Sequence, residues 1–313
     1  MKIANKIILF LCLLALASFA GTEKKHFLWK VSDKNSHVWL FGSIHVADSS
    51  FYPLAPVIVS AFNESRELAV EMDVSDPSVM NLVQTTMLKE GQNTGGPSIK
   101  DLASAEMWHV LDSLGTAWSF PVQAMNAFRP WFVTATLATL SITSKGLNPD
   151  YGLDLVLSAA AKKMGKPIVG LEGISQQMDA LPGYGLSNEE GYVFLKQTVS
   201  GFPYTDSLIV ELVDAWKSGD EVKLAKILED ESEFAGEIDK CKTEDECARE
   251  KSLLEAYEKK AVDDRNVGMA EKVEGFLKEN RTVFVVVGSA HLVGRSMSVI
   301  HLLKKKGYKI ERF

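Results

Sequence analysis

Two stretches decide how this chain is read: Trp39-Leu40-Phe41-Gly42-Ser43-Ile44-His45-Val46 near the start, and Phe284-Val285-Val286-Val287-Gly288-Ser289-Ala290-His291 near the end. Each is an apolar run of Val, Ile, Phe or Trp that stops at Gly-Ser-x-His. Such runs bounded by glycine read as buried strands. The glycine is expected to let the chain turn where the strand ends. The histidine then falls just past the carboxyl end of a strand, where ligands bind in open α/β sheets. One histidine beside an apolar run is ordinarily a core or surface residue. Two copies of the same device, nearly a chain length apart, predict one shared sheet edge.

Working outward, Phe27–Val31 and His37–Phe41 form a hairpin around the turn-forming Ser32–Ser36. A helix from about Ala55 to Ser65 leads to the strand Glu67-Leu68-Ala69-Val70-Glu71-Met72-Asp73, which carries acids at its far end. Strand, helix, strand is a βαβ unit. Residues 76–145 read as helical, with Met107, Val110, Leu111 and Leu114 at helical spacing and a Pro130 start before an apolar helix. Such stripes are core rather than cofactor contacts. After the turn at 148–152 and a helix to Met164, Gly165-Lys166-Pro167 introduces the short strand Ile168–Glu172, again with an acid at its carboxyl end. Residues 174–280 read as polar, amphipathic helices, including one long helix from Glu250 to Leu277. A helix from about Arg295 and a last strand from Tyr308 to Arg312 finish the chain. The predicted fold is α/β: a central mixed β-sheet built from both ends of the chain, with large helical insertions at about 76–145 and 174–280, in one domain over 21–313.

The 313 residues are 46% hydrophobic and 24% charged, a globular composition. Lys2, Lys6, the apolar run Ile7–Ala17 and Ser18-Phe19-Ala20 read as a signal peptide over residues 1–20, cleaved after Ala20. The run is short of the ~20 residues a membrane span needs. The reading implies a secreted or periplasmic protein with no stable transmembrane anchor after cleavage. Without the two lysines the formal charge is about −9, and with no basic tract this is no nucleic-acid binder. Cys241 and Cys247, alone in the mature chain, are expected to pair as a disulfide, as exported proteins allow.

Four polar groups fall at predicted strand ends: His45, Glu71, Glu172 and His291. Imidazoles with carboxylates suit a divalent metal that activates water. The same groups suit metal-free acid–base work, or binding without turnover. No His-Glu-x-x-His, Gly-x-Ser-x-Gly or Walker-type loop is present. Ser43 and Ser289 read as small turn residues rather than nucleophiles. Arg265 and Asn266 precede the second histidine strand and can reach the same rim.

The set resembles the TraB/GumN family, which includes the Tiki proteases. Gly42-Ser43-Ile44-His45 and Gly288-Ser289-Ala290-His291 match its two Gly-x-x-His motifs, and Leu68-Ala69-Val70-Glu71 its acidic strand. Gly170-Leu171-Glu172 with Gln176 and Gln177, and the pair Arg265-Asn266, match its remaining elements. Ser43–Val46 with Tyr52-Pro53-Leu54 is most similar to the GumN branch. The resemblance implies a metal-dependent peptidase site with a peptide or protein substrate. The metal would be manganese, cobalt or zinc, with His45, His291 and Glu71 as ligands. Glu71 and Glu172 would carry acid–base work, Arg265 would stabilise an anionic intermediate, and Asn266 would orient a neighbour. A peptide- or small-ligand-binding protein and a metal-free esterase are the alternatives.

Overall fold

Val283–Gly288 is apolar throughout because both its faces and both its edges are covered. A computed structural model describes residues 24–229 and 238–313, the side chain of Asp206 apart. Among these residues, six strands form one mixed sheet: β1 (Leu28–Ser32), β2 (His37–Ser43), β3 (Glu67–Val70), β4 (Ile168–Gly170), β5 (Val283–Gly288) and β6 (Lys309–Arg312). Their order is β4-β3-β5-β2-β1-β6. The strands β2, β5, β3 and β4 run parallel, while β1 lies antiparallel to both β2 and β6. Both ends of the chain therefore meet in one sheet, as expected. Central β5 carries a continuous Val/Phe run, as a parallel strand buried on both faces must. The edge strand β6 is Lys-Ile-Glu-Arg, a charged edge that discourages further pairing.

Register sets up the site. Ser43 pairs with Gly288, and Val70 with both Val286 and Gly170. The parallel ladder then continues by two further hydrogen bonds, Leu171 N to Val70 O and Glu172 N to Glu71 O, each 2.8 Å. The residues that follow β2, β3, β4 and β5 thus emerge at one edge.

Helix α1 (Pro56–Glu64) makes the crossover from β2 to β3. The first insertion holds α2 (Pro77–Gly91), α3 (Ile99–Leu102), α4 (Ala105–Ala117), α5 (Val122–Met125) and α6 (Pro130–Thr143). Asp76, Ser98 and Ser104 cap α2, α3 and α4 by accepting backbone N–H bonds. Helix α7 (Leu153–Lys163) returns the chain to the sheet. The second insertion holds α8 (Ile174–Asp179), α9 (Asn188–Gly201), α10 (Thr205–Ser218), α11 (Glu221–Glu229), α12 (Glu244–Glu258) and α13 (Arg265–Lys278), and α14 (Val299–Lys305) follows β5. Met107 and Leu111 are buried with Val133, Leu137, Leu195 and Val199 in an apolar cluster separate from the one around the sheet, with Val110 and Leu114 packed against it. Cys241 and Cys247 form a disulfide, Cα–Cα 5.2 Å, at the start of α12. No helix among the described residues is long and apolar enough to cross a membrane. The predicted leader lies outside the described residues.

The helix expected from Glu250 to Leu277 is continuous, with a π segment, Lys259–Asp264, between α12 and α13. Two expectations are corrected. The helix expected from Arg295 starts at Val299, because Gly294 takes a left-handed φ of 77° and Ser298 caps the helix. Gly42 does not turn the chain. It lies within β2, and a Cβ there would stand 2.9 Å from Ser289 Oγ and 3.2 Å from Phe27 Cβ. Its role is close approach between β2 and the turn after β5.

Candidate active site

Each polar residue at the shared sheet edge has a defined partner. Glu71 follows β3 and is 8% exposed. Its Oε1 accepts the Gly288 backbone N–H at 2.7 Å, and its Oε2 accepts from Arg265 Nη2 at 2.5 Å. The same Oε1 lies 3.7 Å from His45 Nε2 and 3.8 Å from His291 Nε2. One carboxylate oxygen therefore faces both motif histidines.

The far nitrogen of each ring is held. His45 Nδ1 lies 3.2 Å from Asp154 Oδ1, and His291 Nδ1 lies 2.6 Å from Asn266 Oδ1. An amide oxygen accepts a hydrogen bond, so in this arrangement the neutral His291 ring carries its hydrogen on Nδ1 and leaves Nε2 bare toward Glu71. Asn266 is fully buried, and its Nδ2 has no hydrogen-bond partner among the described residues.

Arg265 gathers the two glutamates. Its Nε and Nη2 donate to Glu172 at 2.9 and 2.8 Å, and its Nη1 donates to the Ala261 carbonyl at 3.1 Å. That carbonyl lies inside the π turn, whose widened geometry is a common local device at functional sites. Gln177 Nε2 donates to Glu172 at 2.6 Å and reaches Glu71 at 3.3 Å.

The electrostatics follow. Burial opposes charge on Glu71, but the nearby His291, His45 and Arg265 and the Gly288 amide hold its pKa down at about 2. Loss of water likewise opposes the His45 imidazolium, yet the bond to Asp154 and the charges of Glu71 and Asp154 outweigh it and raise the ring to about 9. Burial pushes His291 below its ordinary value. Glu71 is thus a fixed anion between one ring that favours a proton and one that does not.

The donor chemistry fits a divalent cation. Donors about 2.0–2.2 Å from one ion stand at most ~4.2 Å apart, and the 3.7 and 3.8 Å separations lie inside that limit. Both imidazoles are oriented through Nδ1 by oxygen acceptors, the usual outer support of metal-bound histidine. Gly288 keeps the space open: a Cβ there would stand 3.3 Å from His45 Nε2 and 3.4 Å from Glu71 Oε1. Among the described residues, no group of three or more His, Cys, Asp or Glu side chains is already arranged around one ion position.

All six candidate polar residues, His45, Glu71, Glu172, Arg265, Asn266 and His291, belong to this one network. Sequence reasoning missed Asp154. It reaches His45 because residues 148–153 are zipped onto 44–47: Ala47 pairs with Asn148, and Leu153 N donates to Ile44 O at 3.1 Å. A Cβ on Gly152 would stand 2.3 Å from His45 O, so only glycine permits the approach. The Asn-Pro-Asp-Tyr-Gly turn was visible in the sequence, but nothing local said where it docks. Trp216, from α10, was also missed: its Nε1 donates to Gly42 O at 2.9 Å and locks the first motif from behind.

Comparison with known proteins identifies a family for the chain. The model of the TraB/PrgY/gumN family matches residues 27–312. The uncharacterized protein YbaP of Escherichia coli is 26% identical over 205 residues, covering 63% of this chain and 72% of that protein. A protein named metalloprotease TIKI homolog, from Amphimedon queenslandica, is 23% identical over 340 residues, covering 93% of this chain and 62% of its own length. No solved structure matches.

Proposed function

Because this chain belongs to the TraB/PrgY/gumN family, we propose that it is an exported metal-dependent hydrolase acting on peptide bonds. The observation that carries the reading is Glu71 Oε1 standing 3.7 and 3.8 Å from the Nε2 atoms of two histidines held from behind. His45, His291 and Glu71 are the residues that would hold the ion. An ion held by these residues would supply Lewis-acid chemistry for carbonyl polarisation and water activation. Support for a metallopeptidase also comes from the name of the sponge relative. Support for export comes from the disulfide, which persists in oxidising compartments.

The chain's own residues have distinct tasks in this reading. Asp154 and Asn266 fix the two rings. Arg265 neutralises Glu71 and Glu172 and sets their position. Its Nε, Nη1 and Nη2 are already engaged by Glu172, Ala261 O and Glu71. We therefore assign it to holding carboxylates, instead of the oxyanion role expected from sequence. Glu172, buried beside it and bonded to Gln177, keeps the guanidinium in place.

The test is peptide hydrolysis by protein stripped with a chelator, then resupplied with manganese, cobalt or zinc. Activity should vanish on stripping and return with at least one ion, and His45→Ala and His291→Ala should not recover it. Turnover that survives stripping would point to the metal-free esterase. Selective peptide binding with no turnover under any ion would leave a binding protein.

A further inference from the structure

Exposure decides the direction from which this site is reached. The side chains of Glu71, Glu172, Arg265 and His291 are 9, 6, 10 and 7% exposed, whereas His45 is 57% exposed. His45 is therefore the exposed member of the network. Beside His45 stands the zipped segment 148–154, and on it Tyr151, 43% exposed. Its neighbour Gly152 lies against the His45 carbonyl. Tyr52, seven residues after His45, packs its ring 6.5 Å from that of Tyr151 and donates its hydroxyl to Tyr151 O at 2.7 Å. Burial and the charge of Asp154 raise the Tyr52 hydroxyl to about 12, in keeping with its place next to the His45 partner.

We infer that Tyr52 and Tyr151 form a specificity wall for the site, taking a large apolar side chain next to the peptide bond to be cut; this rests on the peptidase reading above. The chemistry at the wall favours that class. The Tyr52 hydroxyl is spent on a backbone carbonyl, so ring surface is what the pair offers. Asp154 is engaged by His45, so its own charge is matched. Aromatic rings pack against apolar or aromatic side chains at centroid separations of about 4.5–7 Å. The hydroxyl bond fixes the Tyr52 ring, so little side-chain freedom is lost when a substrate docks.

The experiment measures binding, not turnover, in the presence of a chelator. End-blocked Ala-Phe-Ala, Ala-Ala-Ala, Ala-Lys-Ala and Ala-Glu-Ala peptides are titrated by calorimetry. The phenylalanine peptide should bind at least about 5-fold tighter than the alanine peptide, consistent with burial of an aromatic side chain. Tyr151→Ala should bring that ratio below about 2, Tyr151→Phe should keep it, and Tyr204→Ala, exposed on a different segment, should leave it unchanged. Thermal melts confirm that each variant is folded. A lysine or glutamate peptide binding as well as phenylalanine, a ratio near one in the wild type, no binding of any peptide, or a ratio untouched by Tyr151→Ala would each overturn the inference. Metal-dependent turnover is read separately, so selective binding without hydrolysis sinks the peptidase reading alone, and hydrolysis without selectivity sinks the wall alone.

Discussion

Asn266 Oδ1 lies 2.6 Å from His291 Nδ1, with Asn266 fully buried and His291 6% exposed. The bond joins the first turn of α13 to the second Gly-x-x-His motif. It also fixes which nitrogen of the ring is free. Asn266→Ala removes the acceptor and leaves a buried N–H without a partner. Stability should fall by about 1–3 kcal/mol, read as a lower urea midpoint with an unchanged slope. Metal affinity, measured by calorimetry with manganese, cobalt or zinc, should weaken about 10–100-fold, as loss of an outer-shell partner usually does. A variant with wild-type stability and wild-type metal affinity would remove Asn266 from the site.

Much of this site was legible because of where strands end. Glycine after a Val-rich run located His45 and His291, and acids after short apolar runs located Glu71 and Glu172. The parallel register then brings all four together without further information. The π turn was not legible: Lys259–Asp264 has ordinary helix-forming composition, and its widening is a tertiary outcome. It carries the Ala261 carbonyl that accepts from Arg265. Asp154 was hidden for a related reason. Its approach to His45 depends on Gly152 and on backbone bonds between segments about a hundred residues apart. Gly42 was noticed for the wrong property. Its value is the missing side chain facing Ser289, not a turn.

Arg265 is the charge keystone of the network. It is 10% exposed and bridges two carboxylates that are each less than a tenth exposed. Arg265→Met keeps the length and apolar stem but removes the cation shared by two buried carboxylates, leaving Glu71 its histidines and the Gly288 amide and Glu172 its bond from Gln177. Such a break costs roughly 3–5 kcal/mol. The deficit should appear in urea denaturation at pH 7 and shrink at pH 5, because carboxylates that lose a cation partner take up protons more readily. Equal deficits at both pH values, or no deficit at all, would show that the guanidinium is not what holds the pair.

Away from the site, a buried polar clasp gives the protein a signature at both ends of the pH scale. Tyr192, on α9, donates its hydroxyl to Asp239 Oδ2, which also accepts the Ser104 backbone N–H at 3.1 Å. Lys196 donates to Asp239 O at 3.1 Å and pairs with Glu250. The disulfide Cys241–Cys247 lies between Asp239 and Glu250 in sequence and ties their segment together. Burial opposes the Asp239 charge, but the Ser104 and Tyr192 bonds win and hold its pKa below the ordinary 3.8. Burial and the same bond raise Tyr192 above its ordinary 10.0. A depressed carboxyl contributes stability above its unfolded pKa and loses it as pH falls through the folded value. A raised phenol contributes fully below its unfolded pKa and loses that contribution as pH climbs toward the folded one. The bond therefore contributes its full stability between about pH 4 and pH 10, and that contribution declines outside the window. Tyr192→Phe should cost about 1.5–3 kcal/mol at pH 7, the range for a hydrogen bond to a charged group. The gap between variant and wild type, followed by urea midpoints, should narrow below pH 4 and above pH 10. A gap that stays constant from pH 3 to pH 11 would mean that packing of the ring, not the hydroxyl, is what Tyr192 contributes.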